Sequence, residues 1–269
     1  MTRLVLATRD SPFARHLAAR LAAEFDLCGV LIFERPPPSA PGPPQRVRRR
    51  VRRALRRLAV LAGDARARIE AIEERLQVEA DRFFLEQAGD PPPWPADAPL
   101  RRSPDLNDEE TVGWAASRRP ELLAMAGGPI LRAPMLSVPR LGALNMHSSL
   151  LPAYRGTQAE FWQAHDRDLE ALGVTIHFID EGVDTGAIVM AEKTAAPALE
   201  DPWRLRARNL LAALELYPRA VRAAADGGAP RIQAEGGRAF RKSDITIEAR
   251  ARVLRNVGAL PASDGAGPA

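Results

Sequence analysis

The chain begins Leu4-Val5-Leu6-Ala7, continues through Ser11-Pro12 into an alanine- and leucine-rich stretch to Glu24, and returns to Gly29-Val30-Leu31-Ile32-Phe33. The two short apolar runs read as buried strands. Ser11 followed by Pro12 is a helix start, with the serine as cap and the proline at the first helical position. Strand, helix and strand at this spacing form a βαβ unit, which implies a parallel sheet and an α/β fold.

Outward from that unit the pattern breaks. Pro36-Pro37-Pro38 through Pro43-Pro44 is neither helix nor central strand. From Gln45 to Gln87 apolar residues recur at helical spacing, and two helices divided near Gly63-Asp64 are expected, ending before Gly89-Asp90-Pro91-Pro92-Pro93. Residues 36–93 therefore read as a proline-bracketed helical insertion, a lid or an arm against a partner. The α/β rhythm is expected to resume after Leu106, with Asn107-Asp108-Glu109-Glu110 opening a capped helix. Strands are expected at Glu121–Ala126, Leu141–His147, Gly173–Ile179 and Ala187–Ala191, and a long helix at Pro202–Ala225. Residues 1–225 then form the main domain. Residues 226–269 are a short extension, frayed from Pro261 onward.

Nearly half of the 269 residues are hydrophobic (46%), so general disorder is excluded. The formal charge of +4 is local: eight arginines and no acid lie between Arg46 and Arg57, and the rest of the chain is net acidic. Lysine occurs only at positions 193 and 242, so part of the arginine excess reflects coding bias. The arginine run lacks interleaved aromatics and reads first as a solvated helix face, with RNA contact left open. Cys28, alone in an apolar run, is a small core residue that offers neither a disulfide nor a metal cluster. The opening apolar run is too short for a signal peptide or a membrane span, so a cytoplasmic location and no membrane partner are expected. The proline-flanked insertion is a candidate homodimer contact.

In open parallel sheets ligands sit beyond the carboxyl ends of the strands. Two segments place polar groups there: Asn145 to Gly156, and Val174 to Gly186. Residues two apart on a strand face the same side, so Asn145 and His147 project together. An amide and an imidazole converging on one point suit a developing oxyanion. Asp184, on a neighbouring loop, is placed to orient the imidazole and to take a proton.

Three runs resemble the folate-dependent formyltransferase family. They are Asn145-Met146-His147-Ser148-Ser149-Leu150-Leu151-Pro152 with Tyr154-Arg155-Gly156 after it, Gly173-Val174-Thr175-Ile176-His177-Phe178, and Asp180-Glu181-Gly182-Val183-Asp184-Thr185-Gly186. The resemblance covers roughly Leu106 to Lys193. It implies a Rossmann-like formyltransferase domain with 10-formyltetrahydrofolate as donor, no metal, and Asn145, His147 and Asp184 as catalytic residues. It also implies a folate wall built from Gly127, Gly128, Pro129, Ile130 and Leu131, and from Ile179, Asp180, Glu181, Gly182 and Val183. An unprotonated amine would attack the formyl carbon, with Asn145 and His147 holding the oxyanion and Asp184 helping to move the proton to the folate nitrogen.

Beside the triad, Ser149 reads as a ligand contact in preference to a turn cap. Arg155, next to Gly156, holds either an anionic acceptor group or a backbone carbonyl. His177 reads as a support for the Asp184 loop and His165 as a surface residue. Relatives that formylate glycinamide ribonucleotide carry a glycine-rich phosphate loop where this chain has Ala7-Thr8-Arg9-Asp10-Ser11-Pro12. Relatives that formylate methionyl-tRNA carry a further carboxyl-terminal barrel, for which few residues follow the last long helix here. A small, anionic amine such as a nucleotide-linked amino sugar is therefore the expected acceptor, with the Arg46–Arg57 face attracting its diphosphate. Glycinamide ribonucleotide or methionyl-tRNA as the acceptor, a silent folate-binding relative, an RNA- or partner-binding arm, and hydrolysis of formyl-folate are the alternatives.

Overall fold

The computed structural model describes residues 1–34, 54–55, 59–60 and 63–261; the arginines between 46 and 57 lie outside the described residues. The opening βαβ unit is strand β1 Arg3–Thr8, helix α1 Pro12–Glu24 and strand β2 Asp26–Phe33. Ser11 caps α1, its Oγ accepting from the Ala14 N–H at 3.1 Å, with Pro12 at the first position.

Seven strands form one sheet in the order β3-β2-β1-β4-β5-β7-β8. Here β3 is Leu100–Ser103, β4 Leu122–Ala126, β5 Gly142–His147, β7 Gly173–Phe178 and β8 Ile188–Lys193. Pairing is parallel from β3 through β5. The last two strands reverse: β7 is antiparallel to β5, and β8 to β7. A second, two-residue ladder joins β6 Arg155–Gly156 to β9 Ala239–Phe240.

Alternation along β1 sends Leu4 and Leu6 into one core and Val5 and Ala7 into the other. Burial on both faces is what produced continuous apolar runs in the sequence. The first core lies under α1 and the long helix α6, Pro202–Ala225; Tyr217 of α6 is fully buried there. Its hydroxyl lies 3.0 Å from the carbonyls of both Met125 and Leu144, joining helix to the ends of β4 and β5. The second core lies under α3 Glu109–Ser117 and α4 Ala133–Leu136, and it contains Cys28, whose thiol burial pushes up.

Two expectations are corrected. The α/β rhythm resumes at Leu100, not after Leu106, because Leu100-Arg101-Arg102-Ser103 is an edge strand with only Ser103 buried. Polar edge strands lack the apolar pattern that announces central ones. Helix α2, Ala65–Ala88, starts at the expected division near Gly63-Asp64, with Asp64 as its cap, but it is no lid hung outside the fold. Parallel neighbours need a crossover, and α2 is the one between β2 and β3. Its Ala80 and Phe84 enter the first core, and Arg204 of α6 stacks over its Phe83 at 4.0 Å.

The segment after α6 carries helix α7, Ile247–Asn256, capped by Thr246. Val253 packs with Phe161, Trp162 and Phe240, whereas Leu254 packs with Ile69 and Leu76 of α2. Arg250 pairs with Glu73 of α2, both side chains mostly buried. The tail thus ties α2 to α5, Ala159–Asp166.

Candidate active site

The chain runs outward from β1 to β3 and then returns to β4 on the other side of β1, so a crevice opens where the strand order reverses. A cleft of about 720 Å³ lies there. Arg9 and Gly127 stand on its floor, at the ends of β1 and β4, with Asn145 and His147 at the end of β5; α2 contributes Gln77, Asp81 and Phe84, and α6 contributes Trp203 and Arg206.

The antiparallel pairing of β5 and β7 places Asn145 opposite His177 and His147 opposite Thr175. Thr175 anchors the turn that leaves β5: its Oγ1 donates to the Ser149 carbonyl at 2.6 Å and accepts the Leu151 N–H at 3.1 Å. The Asp184 carboxylate then bridges the two strands. Oδ2 lies 3.3 Å from Nδ1 of His147 and accepts the Gly156 N–H at 2.8 Å. Oδ1 lies 3.5 Å from Nε2 of His177 and accepts Nδ2 of Asn145 at 3.3 Å. The second Asn145 N–H points to Nε2 of His177, 3.2 Å away. Nδ1 of His177 lies 2.8 Å from the Phe178 carbonyl.

Burial pushes the His147 imidazole down, against the opposing pull of Asp184 and of the Tyr154 carbonyl, and the ring is neutral at pH 7. Burial also pushes Asp184 up, but the His177 contact, the charge of a protonated His147 and the Gly156 N–H outweigh it and hold the carboxyl at about 2. His147 therefore has an acceptor at each nitrogen: the Tyr154 carbonyl at 2.8 Å from Nε2, and Asp184 at Nδ1. A neutral ring carries one proton and satisfies one of them. A second proton satisfies both, so the ring is set to receive one.

Asp184 itself has φ +52, an uncommon conformation for aspartate. Two contacts hold it there besides the Gly156 N–H: Nε2 of Gln233 donates to the carbonyls of Asp184 at 2.9 Å and Gly186 at 2.7 Å. Gly156, also at positive φ (+88), would set a Cβ 2.2 Å from the Phe240 carbonyl oxygen, so only glycine fits between the Asp184 loop and β9.

Of the other residues named from the sequence, Gly127 and Gly156 line this cleft. Ile130 and Val183 lie on the two loops at its rim with exposed apolar side chains, and Glu181 and Gly182 are exposed on the same turn as Val183. Gly128 and Pro129 are half-buried. Leu131 differs from expectation: its side chain is buried in the second core, against which Ile179 also packs. Asp180 staples its own turn, accepting the Gly182 N–H and the Thr185 hydroxyl. Ser149 is fully buried and donates to the Ala153 carbonyl at 2.7 Å, so it closes a turn. Arg155 is half-buried in the β6 ladder. His165 pairs with Asp166 at 2.6 Å. The sequence reading missed Glu160, Arg206 and Gln233, which lie on a helix or a connection with no motif around them. Among the described residues there is no group of three or more His, Cys, Asp or Glu side chains that could hold a metal.

A family signature described as formyl transferase matches residues 65–221, more than half of the chain. The methionyl-tRNA formyltransferase of Chlorobium chlorochromatii (strain CaD3) is 38% identical over 110 residues, 41% of this chain and 35% of that protein. That of Methylacidiphilum infernorum (isolate V4) is 38% identical over 129 residues, 48% of this chain and 40% of that protein. The chain thus spans well under half the length of these curated relatives. The sheet and its helices match solved structures in fold. A sugar N-formyltransferase from a Shewanella species gives a TM-score of 0.56 at 15% identity over 95% of this chain and 88% of that one. Glycinamide ribonucleotide transformylase 1 from Symbiobacterium toebii gives 0.53 at 21% identity over 87% and 95%.

Proposed function

Since the chain belongs to the formyl transferase family, we propose that it transfers a formyl group from 10-formyltetrahydrofolate to the primary amine of a small anionic acceptor, such as a nucleotide-linked amino sugar. The observation that carries this reading is the meeting of Asn145, His147 and Asp184 around one point at the end of β5, inside the cleft. The exposed apolar side chains of Ile130 and Val183, facing solvent from the two rim loops, suit the faces of a pterin ring. The folate supplies the formyl carbon and takes a hydrogen back on its leaving nitrogen.

The chain's own groups do the rest. His147, neutral and with an acceptor at each nitrogen, takes the proton released as the amine bonds to the formyl carbon. Ionised Asp184 stabilises the imidazolium so formed. Asn145 turns one N–H from Asp184 to the formyl oxygen, where negative charge develops. His147 then gives its proton to the leaving nitrogen. One proton moves from amine to folate nitrogen, and charge balances.

Arg206 lines the cleft and makes no ion pair among the described residues; with Arg9 and the capped start of α1 it offers an anchor for the acceptor's anion. A second reading, methionyl-tRNA as the acceptor, is favoured by the 38% identity to enzymes of that name. Incubation with 10-formyltetrahydrofolate and a panel of amines, including amino-sugar nucleotides, glycinamide ribonucleotide and methionyl-tRNA, tests both by release of tetrahydrofolate. Turnover on the tRNA alone decides for the second reading, and full-speed transfer by His147→Ala overturns the mechanism. No helix among the described residues is long and apolar enough to cross a membrane, and a cytoplasmic site of action is part of the proposal.

A further inference from the structure

Glu160 sits in the first turn of α5, 3% exposed, and lines the same cleft as Asn145, His147 and Asp184. Its Oε1 is buried and has no hydrogen-bond partner, and no arginine, lysine or histidine among the described residues pairs with it. Its charge is felt at His147, where it opposes the effect of burial. A buried carboxylate without a donor is costly, whether it carries its proton or not. Its neighbours on α5, Phe161 and Trp162, supply apolar contacts that seat the helix.

An unpaired acid that faces a ligand cleft finds its donor in the ligand. Most of the charges around it are already spoken for. Asp184 accepts the Gly156 N–H and faces both histidines. Asp81, another cleft carboxylate without an ion pair among the described residues, is exposed on α2, whereas Glu160 is buried. An alkylamine in water arrives as an ammonium with three donors and a positive charge.

We propose that Glu160 is the specificity-determining residue for the acceptor: its carboxylate receives the acceptor's primary ammonium group and takes one of its protons, which passes on to solvent, so that the nitrogen meets His147 and Asn145 as the free amine. Arg206, on α6 along the same cleft, then meets an anionic group of the same molecule, so the acceptor class is a zwitterion: a primary ammonium with a phosphate or carboxylate elsewhere on it. Identification of the ammonium as the acceptor's rests on the formyl transfer proposed above. Neutral amides, which carry no charge for Glu160, are excluded as acceptors.

The test compares the full chain with Glu160→Met and Glu160→Gln. Without substrates, Glu160→Met melts about 2–4 °C higher than the wild type, because an unpaired buried acid is removed; a lower melting temperature marks a structural group and overturns the proposal. Methylammonium chloride, compared with sodium chloride at equal ionic strength, raises the melting temperature of the wild type and leaves Glu160→Met unmoved; equal responses overturn it. In formyl transfer, Glu160→Gln raises the acceptor KM by about tenfold or more and leaves the folate KM unchanged; an unchanged acceptor KM overturns it. If no amine accepts a formyl group from the wild type, the transfer reading fails, and the methylammonium response decides by itself whether Glu160 holds a cation.

Discussion

The N–H of Gly156 lies 2.8 Å from Oδ2 of Asp184, while the same glycine presses its α-carbon against the Phe240 backbone so closely that a Cβ would stand 2.2 Å from its carbonyl oxygen. The proposed catalytic carboxylate is therefore held by backbone, through a two-residue ladder between β6 and a strand 84 positions further on in number. Gly156→Ala is expected to force β6 and β9 apart, cost about 1–3 kcal/mol of stability, and remove most of the transfer activity. Chemical denaturation and turnover, measured on the same preparation, check it; wild-type values for both would show that the ladder does not position Asp184.

Asp184 ionises at about 2 in the fold, below its ordinary value of 3.8. An acid whose pKa is depressed on folding contributes stability above the unfolded pKa and loses it as the pH falls through the folded one. That contribution, roughly 2 kcal/mol for a mostly buried side chain, is complete at neutral pH and fades between about pH 4 and pH 2. Urea unfolding of wild type and Asp184→Asn is expected to show a gap at pH 7 that closes toward pH 2. A gap of constant size would mean that the carboxylate's charge contributes nothing.

His147 shifts in the same direction for a different reason, since burial disfavours its charged form. The unfolded chain thus takes up this proton first as the pH drops, so stability declines below about pH 6.5. An NMR titration of the His147 ring should give a midpoint below that of a free imidazole. Its replacement by alanine is expected to lower kcat by about 10²–10⁴; a midpoint above 6.5 would assign the ring the opposite starting charge.

Gln233 touches neither His147 nor Asn145 by any hydrogen bond, yet its amide fixes the carbonyls on both sides of Thr185. It is a positioning residue. Gln233→Leu is expected to reduce kcat on the order of 10- to 100-fold through misplacement of Asp184, with the folate KM little changed. Equal losses in kcat and in melting temperature would indicate a structural role only.

Tyr217→Phe removes a hydroxyl that lies between the ends of β4 and β5, taking away the one O–H shared by the Met125 and Leu144 carbonyls. A loss of about 1–3 kcal/mol in unfolding free energy is expected. Because the helix backs the floor of the cleft, the same variant is expected to raise KM before it affects kcat.

Much of this was legible in the chain itself. Asn145 and His147, two apart on an apolar run, had to share a face, and His177 could be read as a support because it stood mid-strand beside the Asp184 loop. Ser149 misled, since a serine after a motif histidine looks the same on paper whether it faces a ligand or the Ala153 carbonyl. Leu131 misled likewise, because a loop residue's burial depends on what packs over it.

The sequence by itself determined the elements and their order: the doubly buried strands, the Ser11 cap, the long helix Pro202–Ala225 and the run from Asn145 to Pro152, all governed by local sterics and by apolar periodicity. Tertiary structure alone decided that α2 is a crossover and a cleft wall, that α7 ties α2 to α5, and that Gln233 and Gly156 grip Asp184. Those contacts join residues 28 to 177 positions apart. No periodicity records which distant surfaces meet, because that choice is made by the packing of the whole core.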